Sequence, residues 1–223
     1  MNVHVVIDDV EVAERAVAGG ATVVQVRLKD AGTAARAAMG WRLRHLPAML
    51  VINDDVEAAL QCRADGVHLG QTDRGAARAL DAGLLLGVSA RNLYEAEAAQ
   101  VIGATYIGAG PVWSTPTKPD AGFPLGIDGL AAICAAVRIP VVAIGGVDAA
   151  NAGRCIGAGA AGVAVVRAAR DAPGVRAAVD AALARSVAAR SVEEVRPDGV
   201  CATGGASCGA PWPRSAGCAG ASP

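Results

Sequence analysis

Eight short apolar runs rich in β-branched residues recur along the chain, separated by alanine-rich stretches, and no other feature narrows the fold as far. The runs are Val3 to Asp8, Thr22 to Arg27, Met49 to Asn53, Gly66 to Leu69, Leu84 to Ser89, Thr105 to Ala109, Val141 to Ile144 and Gly162 to Val166. Strands covered on both faces lose the in-out alternation of a half-solvated sheet, so such runs with helical stretches between them predict a parallel sheet under helices. Helices are expected over Val10 to Gly19, Asp54 to Cys62, Asn92 to Ile102, Asp128 to Val137 and Asn151 to Gly157, several with a closing glycine. Eight strand-helix units predict an α/β fold, a single compact (β/α)8 TIM barrel, over a doubly wound open sheet, which commonly has fewer strands. At roughly 185 residues the barrel falls just under the usual size range, so its loops must be short.

Aromatic residues make up only 3% of a chain that is 53% hydrophobic, which leaves Val, Ile, Leu and Ala to build the core. The expected division is a catalytic barrel over residues 1–190 and a Gly/Ala/Ser/Pro-rich tail over 191–223, read as disordered because the apolar pattern stops after Ser186. A formal charge of -1 without a basic run offers no footprint for nucleic acid. The start, MNVHVVIDDV, carries acids where a signal peptide carries positive charge, and no apolar run approaches the ~20 residues needed to span a bilayer. A cytoplasmic protein with no membrane partner is expected, and a homo-oligomer is left open. Cys62, Cys134 and Cys155 are far apart, and Cys201, Cys208 and Cys218 lack the close pairing of zinc sites, so all six read as free thiols.

The chemistry of a parallel barrel gathers where strands end. Here those positions hold Gln25, Arg27 and Lys29 on strand two, Asn53, Asp54 and Asp55 on strand three, and His68, Gln71 and Asp73 on strand four. Ser89 ends strand five, Gly110 to Gly126 follows strand six, Gly145 and Gly146 close strand seven, and Arg167 follows strand eight. Each group alone has an ordinary reading as a helix cap, a turn or a solvated charge. Together, cations beside carboxylates on one rim suit a diphosphate held with Mg2+, which takes oxygens from one or two Asp side chains and from phosphates. Asp54 and Asp73 are the candidate metal ligands. Arg27 can fork onto phosphate oxygens, while Lys29 and Lys118 supply point charges. Asp55 is expected to face solvent in the first turn of a helix, where it favours the helix dipole.

The sixth loop, GPVWSTPTKPDAGFPLG, is too long for a mere connector and reads as a lid that presents Thr115, Thr117 and Lys118. Ile144-Gly145-Gly146 carries no side chains at its glycines, so backbone N–H groups can approach a ligand beside strand eight. A second, monophosphate-bearing ligand follows from that position.

These segments resemble the thiamine-phosphate synthase family: Val24-Gln25-Val26-Arg27-Leu28-Lys29, Val51-Ile52-Asn53-Asp54, Ala64 to Asp73, Gly110 to Lys118 and Ala143-Ile144-Gly145-Gly146. The likeness runs from Val3 to about Ala169, and HLGQ followed two residues on by Asp73, with TPTK later, is its specific part. It implies a transferase that joins hydroxymethylpyrimidine diphosphate to a thiazole phosphate, releasing pyrophosphate, with Mg2+ as cofactor. By the resemblance Gln25, Arg27, Lys29, Asn53, Ser89 and Lys118 hold the pyrimidine diphosphate, with Arg27, Lys29, Ser89 and Lys118 as the catalytic set. Asp54 and Asp73 hold the Mg2+, and Thr115, Thr117, Gly146, Val166 and Arg167 hold the thiazole phosphate. It also implies a pyrimidine carbocation attacked by the thiazole nitrogen, without a general base; His68 is then a rim residue that shapes the site. Against the family pattern, the segment from Lys29 to Asn53 is several residues short and places Gly40 inside the second helix, which predicts a short or distorted helix there. Asp55 stands where Arg is common, and Arg167 where Ser is common. The alternatives are a thiazole tautomerase-like isomerase on the same barrel and a non-catalytic barrel that binds phosphate ligands.

Overall fold

The computed structural model describes residues 2–117 and 122–194. Eight parallel strands close on themselves in chain order: β1 (Val3–Ile7), β2 (Val23–Val26), β3 (Met49–Asn53), β4 (Gly66–Leu69), β5 (Leu85–Ala90), β6 (Tyr106–Ala109), β7 (Val141–Ile144) and β8 (Gly162–Val165). Closure is direct, since β1 pairs in parallel with both β2 and β8. The helices are α1 (Val10–Ala18), α2 (Thr33–Leu43), α3 (Val56–Gln61), α4 (Ala76–Asp81), α5 (Leu93–Val101), α6 (Gly126–Ala136), α7 (Ala152–Gly157) and α8 (Ala172–Glu194), with a 3-10 turn over Arg167–Asp171 before the last. All eight expected strands form, each end within one residue of its expected place. The tail expected to begin at residue 191 starts later, since α8 continues to Glu194; its remainder lies outside the described residues, as does Lys118. Among the described residues no helix is long and apolar enough to cross a membrane.

Two layers of packing follow from strand alternation. Outward-facing residues such as Val5, Val24, Ile52, Val67, Leu86 and Ile107 join the helices in one continuous apolar cluster. Inward-facing residues form a separate, smaller cluster of Tyr106, Val142 and Ala164 inside the barrel. His4 and His68 share this interior, and both are buried. Their rings flank Tyr106, with centroids 5.3 Å and 5.5 Å from it. Glycine makes room for them: a Cβ on Gly87 would overlap the Tyr106 phenol, and one on Gly108 would lie 2.9 Å from His68 Cε1. Cys62, Cys134 and Cys155 are free thiols.

Helix α2 corrects one expectation. It runs eleven residues without interruption, and Gly40 sits where the helix meets the barrel and α3. A Cβ there would lie 2.5 Å from Cys62 Sγ and 3.2 Å from Ile52 Cδ1. The glycine is a close-approach residue at the contact with Cys62 and Ile52. Gly40→Ala should therefore destabilise the protein by about 1–3 kcal/mol of overpacking, against about 1 kcal/mol gained in helix propensity. Denaturant unfolding checks this, and Cys62→Ala in the same chain should recover part of the loss.

Burial, with His68 nearby, lowers the His4 pKa from 6.5 to about 3, and its Nε2 has no hydrogen-bond partner. The unfolded chain thus binds a proton that the folded chain refuses between those values. Stability is full above pH 6.5 and should fall as pH drops below it, by about 1.4 kcal/mol per pH unit from this one group. His4→Leu should flatten the dependence between pH 6.5 and 5 in urea unfolding, and at pH 8 it should cost little, since it removes an unsatisfied buried nitrogen.

Candidate active site

One cleft of about 650 Å³ opens at the C-terminal end of the barrel. Of the residues singled out from the sequence, Gln25, Arg27, Asn53, Asp54, Asp73, Ser89, Thr115, Thr117, Gly146, Val166 and Arg167 all line it. Lys29 does not; it is exposed in the turn after β2.

The diphosphate side rests on β2 to β5. Gln25 and Asn53 are buried neighbours, and the Gln25 Nε2 group donates to Asn53 Oδ1 at 2.6 Å, which fixes both amides on the cleft floor. Asp54 adopts a left-handed φ of 64° while its N–H stays bonded to the His68 carbonyl at 2.8 Å. That backbone state costs a residue with a Cβ about 1–2 kcal/mol, less for Asp than for most, and it turns the chain out of β3 at the rim. Gly70 N–H donates to Asp73 Oδ2 at 2.6 Å and holds the β4 loop closed over that carboxylate. Asp54 is exposed at the rim, yet partial burial of its carboxyl, then its hydrogen bond and like charge with Asp73, raise its pKa from 3.8 to about 6 against the pull of Arg27 and Arg36. Two carboxyls this close either share a proton or could hold a cation between them. As hard oxygen donors, Asp54 and Asp73 are the residues that would hold Mg2+ here together with phosphate oxygens.

Asp55 is a correction. It does not face solvent but caps α3, accepting from Ala58 N–H at 2.8 Å, and also accepts from Thr33 Oγ1 at 2.8 Å and Arg36 Nη1 at 3.2 Å. Although burial opposes it, these donors hold its carboxyl below the usual value. Asp55 ties α2 to α3 behind the rim.

The opposite side is built on backbone. Gly145 and Gly146 have φ of 94° and 69°, and added Cβ atoms would lie 2.6 Å from Pro111 Cα and 2.7 Å from Trp113 Cβ. The glycine pair thus serves a close loop-to-loop approach as well as ligand access. Val112 N–H and Trp113 N–H donate to the carbonyls of Ile144 and Gly145 at 2.9 and 3.0 Å, pinning the start of the sixth loop to β7. Asn151 Nδ2 donates to the Gly146 carbonyl at 2.9 Å and steadies the turn from behind.

Strand-end reasoning missed Arg91 and Asp148, which also line the cleft. Arg91 follows β5 directly and was reachable by the same rule. His68 is a deeper part of the site than a rim residue, and its Nε2 meets Ser89 Oγ at 3.0 Å, while Gln71 stays exposed at the rim and its Nε2 donates to the Ser89 carbonyl.

Fold and cleft together define a (β/α)8 barrel enzyme with its site at the C-terminal face. The model of the thiamine monophosphate synthase family matches residues 3–169, and the chain belongs to that family. It is 50% identical over 173 residues to a thiamine-phosphate synthase of Chloroflexus aurantiacus, covering 75% of this chain and 80% of that one. A thiamine-phosphate synthase of Moorella thermoacetica is 43% identical, covering 75% and 83%. Among solved structures, the thiamine phosphate pyrophosphorylase from Pyrococcus furiosus superposes with a TM-score of 0.75 at 34% identity, over 82% of this chain and 96% of that one.

Proposed function

We infer that this chain is a transferase of thiamine biosynthesis that joins 4-amino-2-methyl-5-hydroxymethylpyrimidine diphosphate to thiazole phosphate, giving thiamine phosphate and pyrophosphate. The observation that carries the reading is the convergence of Arg27, Asn53, Asp54, Asp73 and Ser89, from four successive strands, on a cleft whose far wall is Gly146, Val166 and Arg167. Arg27 and Ser89 bind the diphosphate oxygens, Gln25 and Asn53 set the floor against the pyrimidine, and Asp54 with Asp73 would hold Mg2+. The metal, when bound, neutralises charge on the departing pyrophosphate. Lys29 is assigned to the same leaving group as a mobile charge from the rim, and Lys118 on the TPTK motif alone. Thr115, Thr117, the Gly146 backbone and Arg167 bind the thiazole phosphate so that the ring nitrogen faces the pyrimidine methylene carbon. The carbon–oxygen bond to the diphosphate breaks, the nitrogen supplies the new bond, and no residue needs to take a proton. Catalysis then comes from positioning and from fixed charge around the leaving group. We assign the activity to the barrel, residues 1–190, and its setting to the cytoplasm.

The test is to incubate the purified protein with both phosphorylated substrates, with and without Mg2+, and to follow thiamine phosphate and pyrophosphate together. Stoichiometric release of both, only with Mg2+, is the expected result. No product in either condition removes the assignment.

A further inference from the structure

Tyr106, His68 and Ser89 form a hydrogen-bonded chain from the barrel interior to the cleft, and its direction follows from what each group can donate. The Tyr106 hydroxyl meets His68 Nδ1 at 3.1 Å. Tyr106 is 2% exposed, and burial pushes its pKa up, so the phenol keeps its proton. That proton needs an acceptor, and His68 Nδ1 is the partner the structure provides. A neutral imidazole that accepts at Nδ1 carries its own proton on Nε2. His68 Nε2 lies 3.0 Å from Ser89 Oγ, so it donates there. The reverse direction would have Nδ1–H donating to the phenol, leaving a buried phenol proton unbonded and Ser89 turned inward. His4 does not compete: burial keeps it neutral down to about pH 3, and its ring meets Tyr106 edge-on rather than through a hydrogen bond.

We propose that Tyr106 and His68 are positioning residues which lock the His68 tautomer and thereby make Ser89 a hydroxyl that donates into the cleft. With its acceptor capacity toward the interior taken by His68, Ser89 presents its proton to the ligand. It then favours an acceptor, such as a diphosphate oxygen, and disfavours any ligand that places an N–H or O–H donor there. The proposal rests on the reading of this side of the cleft as the diphosphate side. Gly87 and Gly108 leave the room that the His68–Tyr106 pair occupies, because side chains at either position would invade it.

The chain has only three histidines, so 15N-histidine NMR resolves them without crowding. The wild-type protein should show His68 with Nδ1 unprotonated and Nε2 protonated, and Tyr106→Phe should shift it toward a mixture of tautomers. Kinetically, Tyr106→Phe should raise KM for the pyrimidine diphosphate on the order of tenfold, the scale of orienting hydrogen bonds behind a ligand group, and leave KM for thiazole phosphate unchanged. In a Ser89→Ala background the same substitution should have no further effect, because the relay has lost its output. His68→Gln, which can accept and donate in the same order, should retain more activity than His68→Leu. An Nδ1–H tautomer in the wild type, or an equal loss from Tyr106→Phe with and without Ser89, overturns the relay. The expected tautomer with the loss moved to thiazole phosphate supports the relay and overturns the assignment of Ser89 to the diphosphate.

Discussion

Asp73→Ala is expected to lower kcat/KM by about 10²–10³-fold, the scale on which preorganised stabilisation of a leaving group is lost, and to move half-saturation by Mg2+ to much higher concentration. The carboxylate is held by the Gly70 N–H at 2.6 Å and bonded to the Asp54 carboxyl, so its removal takes away half of the paired charge that suits a divalent cation. Asp54→Ala should show a loss of similar size, and the double variant should fall well short of the product of the two, since both act through one ion. Steady-state kinetics at several Mg2+ concentrations reads all three. Turnover by Asp73→Ala at the wild-type rate would remove the metal assignment while leaving the barrel and its substrates in place.

Gly145→Val should be the most damaging change on the other side of the cleft. Its backbone sits at φ 94°, where an L side chain costs about 1–2 kcal/mol, and the new Cβ would lie 2.6 Å from Pro111 Cα. Overpacking against backbone adds about 1–3 kcal/mol more. The neighbouring loop can relieve the clash only by letting go of β7, which would break the Trp113 N–H bond to the Gly145 carbonyl. Lowered denaturation midpoint and a raised KM for thiazole phosphate, with KM for the pyrimidine diphosphate nearly unchanged, are the expected outcomes. A loss confined to the diphosphate would reverse the division of the cleft proposed above.

The lining of the cleft was largely legible because a parallel barrel turns sequence order into a rim. Arg27, Asn53, Asp54, Asp73 and Ser89 each stand at or just after the end of a run of buried apolar residues, and the fold needs only to close for them to meet. Lys29 shows the limit of that logic: position after a strand says which end of the barrel a residue reaches, but not whether its side chain turns inward. Asp55 differed for a related reason. Read alone it is a helix-capping acid on a solvated turn; Arg36 and Thr33, far from it in sequence, reach it only because α2 lies against α3. Gly40 reads as a helix breaker by propensity, yet the close approach of Cys62 makes the absence of a side chain a packing requirement.

Local sequence therefore determined the strands, since burial on both faces writes itself into β-branched runs, and with them the end of the barrel at which charge gathers. Tertiary structure alone decided what lies inside. Tyr106, His68 and His4 come from strands far apart along the chain, and only closure of the barrel brings their rings within 5.3–5.5 Å and sets a direction on the hydrogen bonds that end at Ser89. Propensity and periodicity act over a few residues, whereas a donor and its acceptor across a barrel are chosen by which strands become neighbours and which side chains the interior has room to hold.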